Sequence, residues 1–97
     1  MMTALFENFA VLEKKAEMIK TLGHPIRLCI MEVLADHNEK TVTEIYTDLE
    51  IEQAVASHHL RILKNSGVLS SSKKGKNVLY SISHDNLKEI FDLLIAI

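Results

Sequence analysis

From Gln53 to Ser83 the chain carries no Asp or Glu, while Arg61, Lys64, Lys73, Lys74 and Lys76 place five positive charges in that stretch. The whole chain sums to -2, which leaves -7 for the remainder. Local potential, and not net charge, decides whether a polyanion is attracted, so a basic third within an acidic chain is a statement about partners. If a helix begins near Gln53, its exposed face carries Gln53, Ala54, Ser57, His58, Arg61 and Lys64, with His59 partly packed beside them. These types suit base edges in a major groove, where Arg forks onto guanine and Gln onto adenine. Lys73, Lys74, Lys76 and Asn77 cluster further on, badly placed for a core and well placed for phosphate contacts, which position a protein without reading sequence. The bland alternatives are a solvated helix face and a charged hairpin tip that only guards a sheet edge. The carboxylate-free run, together with the hairpin, favours nucleic acid.

Other chemistry is poorly supported. There is no Gly-rich phosphate loop, nucleophile motif or cofactor fingerprint, and a chain of 97 residues buries only about 65% of its unfolded surface, leaving little room for an enclosed substrate cavity. An enzyme is therefore not expected. Adjacent residues on a helix point about 100° apart, so His58 and His59 cannot chelate one ion together. His24 and His37 fall at helix boundaries, where imidazoles often cap. Asp85, Glu89 and Asp92 share one face of the last helix and read as a solvated acidic surface. No metal and no cofactor are expected. The lone Cys29 excludes an intrachain disulfide and suits the reducing cytoplasm; on the apolar stripe of its helix it reads as a buried small hydrophobe. The longest apolar run is five residues and the first segment has no cationic n-region, so neither a membrane span nor a signal peptide is expected.

The elements that position these residues follow from periodicity. Leu5, Phe9, Leu12, Ala16 and Ile19 recur at steps of three and four, an amphipathic helix with a narrow apolar seam that Gly23 ends. Pro25 opens a second helix, with Ile26, Cys29, Ile30, Val33 and Leu34 as its core stripe. Thr41-Val42-Thr43-Glu44 is a capping box that starts a short third helix reaching Asp48 or Leu49. After a break at Glu50-Ile51-Glu52, Val55, Leu60 and Leu63 anchor a fourth helix that Gly67 terminates. Two short helices joined by a tight turn are a helix-turn-helix. Val68 to Ser72 and Asn77 to Ile82 read as strands around Lys73-Lys74-Gly75-Lys76, after which Ser83 caps a last helix bearing Leu87, Ile90, Phe91 and Leu94. The order α-α-α-α-β-β-α predicts a mainly α winged helix-turn-helix with a small β-hairpin. One domain spans 1–97, with terminal helices at 1–22 and 84–97, the helix-turn-helix at 41–66 and the wing at 68–82. A seam as narrow as the first helix's suits a second helix, and the last helix has Leu93, Ile95 and Ile97 left to cover. Leu5, Phe9, Leu12, Ala16, Phe91, Leu94 and Ile95 are thus candidates for a homodimer interface. Packing of both helices within one chain is the alternative.

Leu22-Gly23-His24-Pro25-Ile26-Arg27-Leu28, the block Ala56 to Leu69 and the block Lys74 to Ile82 resemble the ArsR/SmtB family of bacterial winged-helix repressors, in order and over essentially the whole chain. The resemblance implies a homodimer, paired through its first and last helices, that binds inverted-repeat operators and is released by an effector. Glu52 departs from the Ser usual at the cap of the recognition helix, which implies a weaker cap. The family's metal sensors place Cys ligands where Thr41 and Thr43 stand here, and Thr is no substitute as a soft-metal ligand. His84-Asp85-Asn86 offers only half of the second metal site. Redox members pair a Cys like Cys29 with one in the last helix, which has none. The resulting expectation is a DNA-binding transcriptional regulator whose effector is unknown. A winged helix used only for protein contact is the alternative, for which an apolar or acidic face at residues 53–64 would be the mark.

Overall fold

A computed structural model describes residues 8–97. The seam residue Leu5 lies outside the described residues. Helix α1 (Phe9–Leu22) runs to Gly23, whose N–H donates to the Lys20 carbonyl at 3.1 Å. Pro25 opens α2 (Pro25–Asp36), and His24 Nδ1 accepts from the Ile26 N–H at 3.1 Å, so an imidazole caps this helix. The short helix α3 (Val42–Leu49) starts with the expected reciprocal box. The Glu44 N–H donates to Thr41 Oγ1, and the Thr41 N–H donates to Glu44 Oε1 at 3.0 Å, holding the Glu44 carboxyl below its ordinary range.

Helices α3 and α4 (Gln53–Asn65) both end in the same hydrogen-bond motif. At α3, Ile51 N–H donates to Tyr46 O and Glu50 N–H to Thr47 O; at α4, Val68 N–H donates to Leu63 O and Gly67 N–H to Lys64 O. That motif requires a left-handed residue just past the helix. Gly67 meets the requirement freely at φ 86°, whereas Glu50 adopts φ 54° with a full side chain. These hydrogen bonds make the turn between the two helices tight, and Glu50 bears the strain of it.

Beyond Gly67, β2 (Leu69–Lys74) and β3 (Asn77–Ile82) pair antiparallel with Lys74 opposite Asn77. The turn is therefore only Gly75-Lys76, with Gly75 at φ 62°, and Lys73 and Lys74 belong to the strand, not to the expected four-residue loop. The hairpin also gains a third strand that periodicity missed. Residues Lys40–Thr41 form β1, which pairs with the other edge of β3, Lys40 opposite Tyr80, giving the order β1-β3-β2. Two residues are too few to show an alternation of period two. Helix α5 (Asp85–Ile95) closes the chain with His84 at its N-cap and no side-chain cap. Ser83, expected there, instead donates its hydroxyl to the Gly67 carbonyl at 2.6 Å and so ties the end of the hairpin to the end of α4.

The core joins Leu22 of α1, Ile30, Met31 and Leu34 of α2, Ile45 of α3, Leu60 and Leu63 of α4, Val68 and Leu69, and Phe91 of α5. Two expectations fail here. Helix α2 is rotated so that Met31 is fully buried while Cys29 is exposed, lining an open groove with Glu32, Asp36, Asp48 and Leu49. Phe91, only 4% exposed, completes this chain's own core and cannot serve an interface between copies. Glu50→Gly should raise stability by roughly 0.5 to 1 kcal/mol by relieving the left-handed strain. The midpoint of urea unfolding checks this, and a lower midpoint would count against strain at the turn.

Candidate nucleic-acid interface

Helix α4 is divided along its length into two faces. Ala56, His59, Leu60 and Leu63 are buried, while Gln53, Ala54, His58, Arg61 and Lys64 are exposed and Ser57 is half-buried between them. The outer face holds donors and acceptors and no carboxylate. Its N-cap, Glu52, makes no side-chain capping bond, as its residue type implied.

His59 does not belong to that outer face. It is 6% exposed, and its Nδ1 accepts from Arg27 Nε at 3.1 Å while Arg27 Nη1 donates to the Thr21 carbonyl at 3.1 Å. Helical geometry is the reason: one step of about 100° from His58 turns His59 onto α2. The His24 ring lies 4.6 Å from the His59 ring, and the His58 ring 5.2 Å away. Burial, followed by the proximity of His24, Arg27 and His58, lowers the His59 pKa below the ordinary 6.5. Arg27, which no motif singled out as functional, thus connects the end of α1 to the inner face of α4.

At the wing, Lys73, Lys74, Lys76 and Asn77 are all exposed. Lys74 Nζ lies 2.8 Å from Glu39 Oε1, so a carboxylate from outside the acid-free segment reaches the hairpin. The signal for it was hidden in the third strand, which draws the residues around Lys40 against β3. Lys40 itself pairs with Asp48.

The terminal helices leave much apolar surface uncovered. Phe9, Val11, Leu12 and Ile19 of α1 are exposed, as are Ile90, Leu93, Leu94 and Ile95 of α5, with Leu93 at 71%. Ala16 is exposed as well. Val11 and Ile90 were not among the expected interface residues, although their apolar type was the available signal, while Leu93 is exposed as its surplus on the last helix implied. A groove of about 400 Å³ between α1 and α5 is lined by Met18, Ile19, Leu87 and Ile90, with Lys15 and His84 beside them.

Residues 24–71 match the family model described as "Bacterial regulatory protein, arsR family". The chain is 40% identical over 82 residues to an HTH-type transcriptional regulator of Methanocaldococcus jannaschii, covering 84% of this chain and 92% of that one. It is 36% identical over 87 residues to the transcriptional repressor PagR of Bacillus anthracis, covering 90% and 87%. The chain belongs to the ArsR family. The crystal structure of PagR superposes with a TM-score of 0.83 at 35% identity, over 89% of this chain and 98% of that one. A homodimeric winged helix-turn-helix DNA-binding domain from Mycobacterium bovis gives 0.85 at 28% identity, over 92% and 82%.

Within this ArsR-family chain Thr41, His24 and His59 are engaged in hydrogen bonds. The Thr41 hydroxyl is committed to the α3 cap, and the Nδ1 atoms of His24 and His59 both accept hydrogen bonds. Among the described residues no group of three or more His, Cys, Asp or Glu could hold a metal ion, and no helix is long and apolar enough to cross a membrane.

The lowered His59 pKa makes stability depend on pH. With both states neutral above about 6.5 the contribution is complete; as pH falls below that value the unfolded chain takes up the proton first, and stability is lost until the lowered pKa is passed. His59→Asn, which keeps an acceptor near the position of Nδ1 without titrating, should remove that part of the pH dependence of the unfolding free energy. Urea unfolding at pH ~7.5 and ~5.5 tests it, and equal losses in both proteins would contradict the assignment.

Proposed function

We propose that this ArsR-family protein is a sequence-specific DNA-binding repressor that acts as a homodimer on inverted-repeat sites in the cytoplasm, and not an enzyme. One observation carries this reading: the face of α4 that the core leaves exposed is the one bearing Gln53, Ser57, His58, Arg61 and Lys64, free of carboxylates. An acidic or apolar face would have favoured protein contact. In the proposed complex this face enters the major groove, and Lys73, Lys76 and Asn77 of the wing follow the flanking phosphates. Lys74 joins them by exchanging Glu39 for phosphate, an exchange between two exposed partners that costs little.

The uncovered faces of α1 and α5 supply the dimer contact, through Phe9, Leu12 and Ala16 on the first helix and Leu94 and Ile95 on the last. Two-fold pairing there would set the two α4 helices about one DNA turn apart, ~34 Å, and so demand a palindromic site. The relatives are consistent with both parts of the reading, since PagR is a transcriptional repressor and the M. bovis domain is homodimeric. The whole chain 1–97 then works as one unit, its ends pairing copies and its middle reading DNA.

Sequencing the genomic fragments that the purified protein retains would identify its sites, and failure to enrich any would sink the proposal. Arg61→Ala should weaken binding to such a site by about 1 to 3 kcal/mol if Arg61 meets a base, measured by fluorescence anisotropy. Replacing Lys73, Lys74 and Lys76 together should weaken binding to every duplex alike. If about six phosphates are neutralised per dimer, the log–log slope of affinity against salt should be roughly -5, and become shallower in that variant. Phe9→Glu should sediment as a monomer; a variant that remains dimeric would place the interface elsewhere.

A further inference from the structure

The contact between Arg27 and His59 lies immediately beneath the face of α4 that reads bases, and it can exist in only one protonation state. Arg27 Nε is a donor under all conditions, because guanidinium does not deprotonate in proteins. His59 Nδ1 must therefore be bare, with the ring proton on Nε2, to accept the bond at 3.1 Å. A proton on Nδ1 would remove the acceptor and set a second cation against the first.

No carboxylate is among the groups acting on His59: these are His24 at the N-cap of α2, Arg27 within α2 and His58 on α4 itself. From α1 the Thr21 carbonyl holds the far end of the Arg27 guanidinium; of the other elements packed on α4, α3 carries Glu44 and Asp48, engaged by Thr41 and Lys40, and β2 carries the exposed Lys73 and Lys74. His24 Nδ1 is likewise occupied as an acceptor, by the Ile26 N–H at the start of α2. The guanidinium is thus fastened on its α1 side, and relief of the repulsion falls on His59 and the helix that carries it.

We infer that Arg27 is a positioning residue for DNA readout, acting through His59, and that the two form a proton-sensitive clamp which releases the recognition helix from its base-reading position as pH falls. The inference rests on the DNA-binding reading above. Its consequence concerns specificity. Hydrogen bonds to base edges fail when the helix shifts by a fraction of an ångström, whereas the lysines of the wing contact phosphate from a separate element and tolerate the shift. The sign sets the clamp apart from ordinary histidine titration. A general gain of positive charge strengthens binding to any duplex alike, whereas opening the clamp weakens only binding to the cognate site.

The test uses a duplex selected by the intact protein from a random pool at pH ~7.5, a scrambled duplex of equal length, and the wild-type and His59→Asn proteins. In wild type the ratio of selected to scrambled affinity should fall by about threefold or more between pH ~7.5 and ~5.5, as the His59 ring takes up the proton that the closed clamp excludes. His59→Asn should bind the selected duplex at pH ~7.5 and change that ratio by less than about twofold over the same range. A flat ratio in wild type, or the same fall in both proteins, overturns the clamp. Failure to select any duplex overturns the DNA-binding reading instead, and the clamp's role in readout with it. Should His59→Asn not fold, NMR of the free wild-type protein decides: the amides of Ser57, His58 and Arg61 should shift with the midpoint of the His59 ring, and amides indifferent to that midpoint overturn the clamp.

Discussion

Everything the outer face of α4 can do depends on how its inner face is buried. Ala56, Leu60 and Leu63 are fully enclosed by the core that α1, α2, α3 and β2 build, and this seating determines which side chains turn outward. Burying side chains of this size stabilises a small domain by about 1.5 to 3 kcal/mol for each large one, enough to make the rotation of the helix unique. His59 is the exception within that buried face. A polar group there must be hydrogen-bonded, and Arg27 supplies the bond from a side chain itself held by the Thr21 carbonyl. The helix is thus held by apolar contact along most of its length and by one directional, protonation-dependent contact in the middle.

The remaining elements follow from keeping this helix presented. The motif that ends α3 forces Glu50 into a left-handed conformation, and so makes the turn into α4 short and sharp. The Gly67 carbonyl accepts from Ser83, which anchors the base of the hairpin to the end of α4, so the lysines of β2 are carried at a set distance from Arg61 and Lys64. The added strand β1 closes the second edge of β3 at Leu79 and Tyr80, and Glu39 just before it pairs with Lys74. In the free protein the wing is therefore partly self-neutralised.

The terminal helices show the complementary logic. A chain of this length has too small a core to absorb both α1 and α5, and Phe91 and Leu87 use most of what α5 can contribute to it. Leu93, Leu94 and Ile95 remain outside, alongside Phe9, Val11 and Leu12. An apolar surface of that extent is the mark of an interface. The same shortage of core is what leaves the outer faces of both terminal helices uncovered in the single chain.

Periodicity, capping residues and the segregation of charge were sufficient to identify the winged helix-turn-helix, the capping box at Thr41, the glycines that end α4 and turn the hairpin, and the donor-rich face of α4, because each is written in neighbouring residues. What they could not determine was rotation and long-range contact. A stripe of apolar residues is wide enough to allow a helix to turn by part of a residue step, and that turn decided that Cys29 faces solvent while Met31 and Phe91 are buried. The pairing of Lys40 with Tyr80, of Glu39 with Lys74 and of Arg27 with His59 joins residues 32 or more positions apart. No local pattern encodes such pairs, since they arise only when packing brings separate elements together. The five positive charges and the bare face of α4 belong to the sequence, and the clamp that aims them belongs to the tertiary structure.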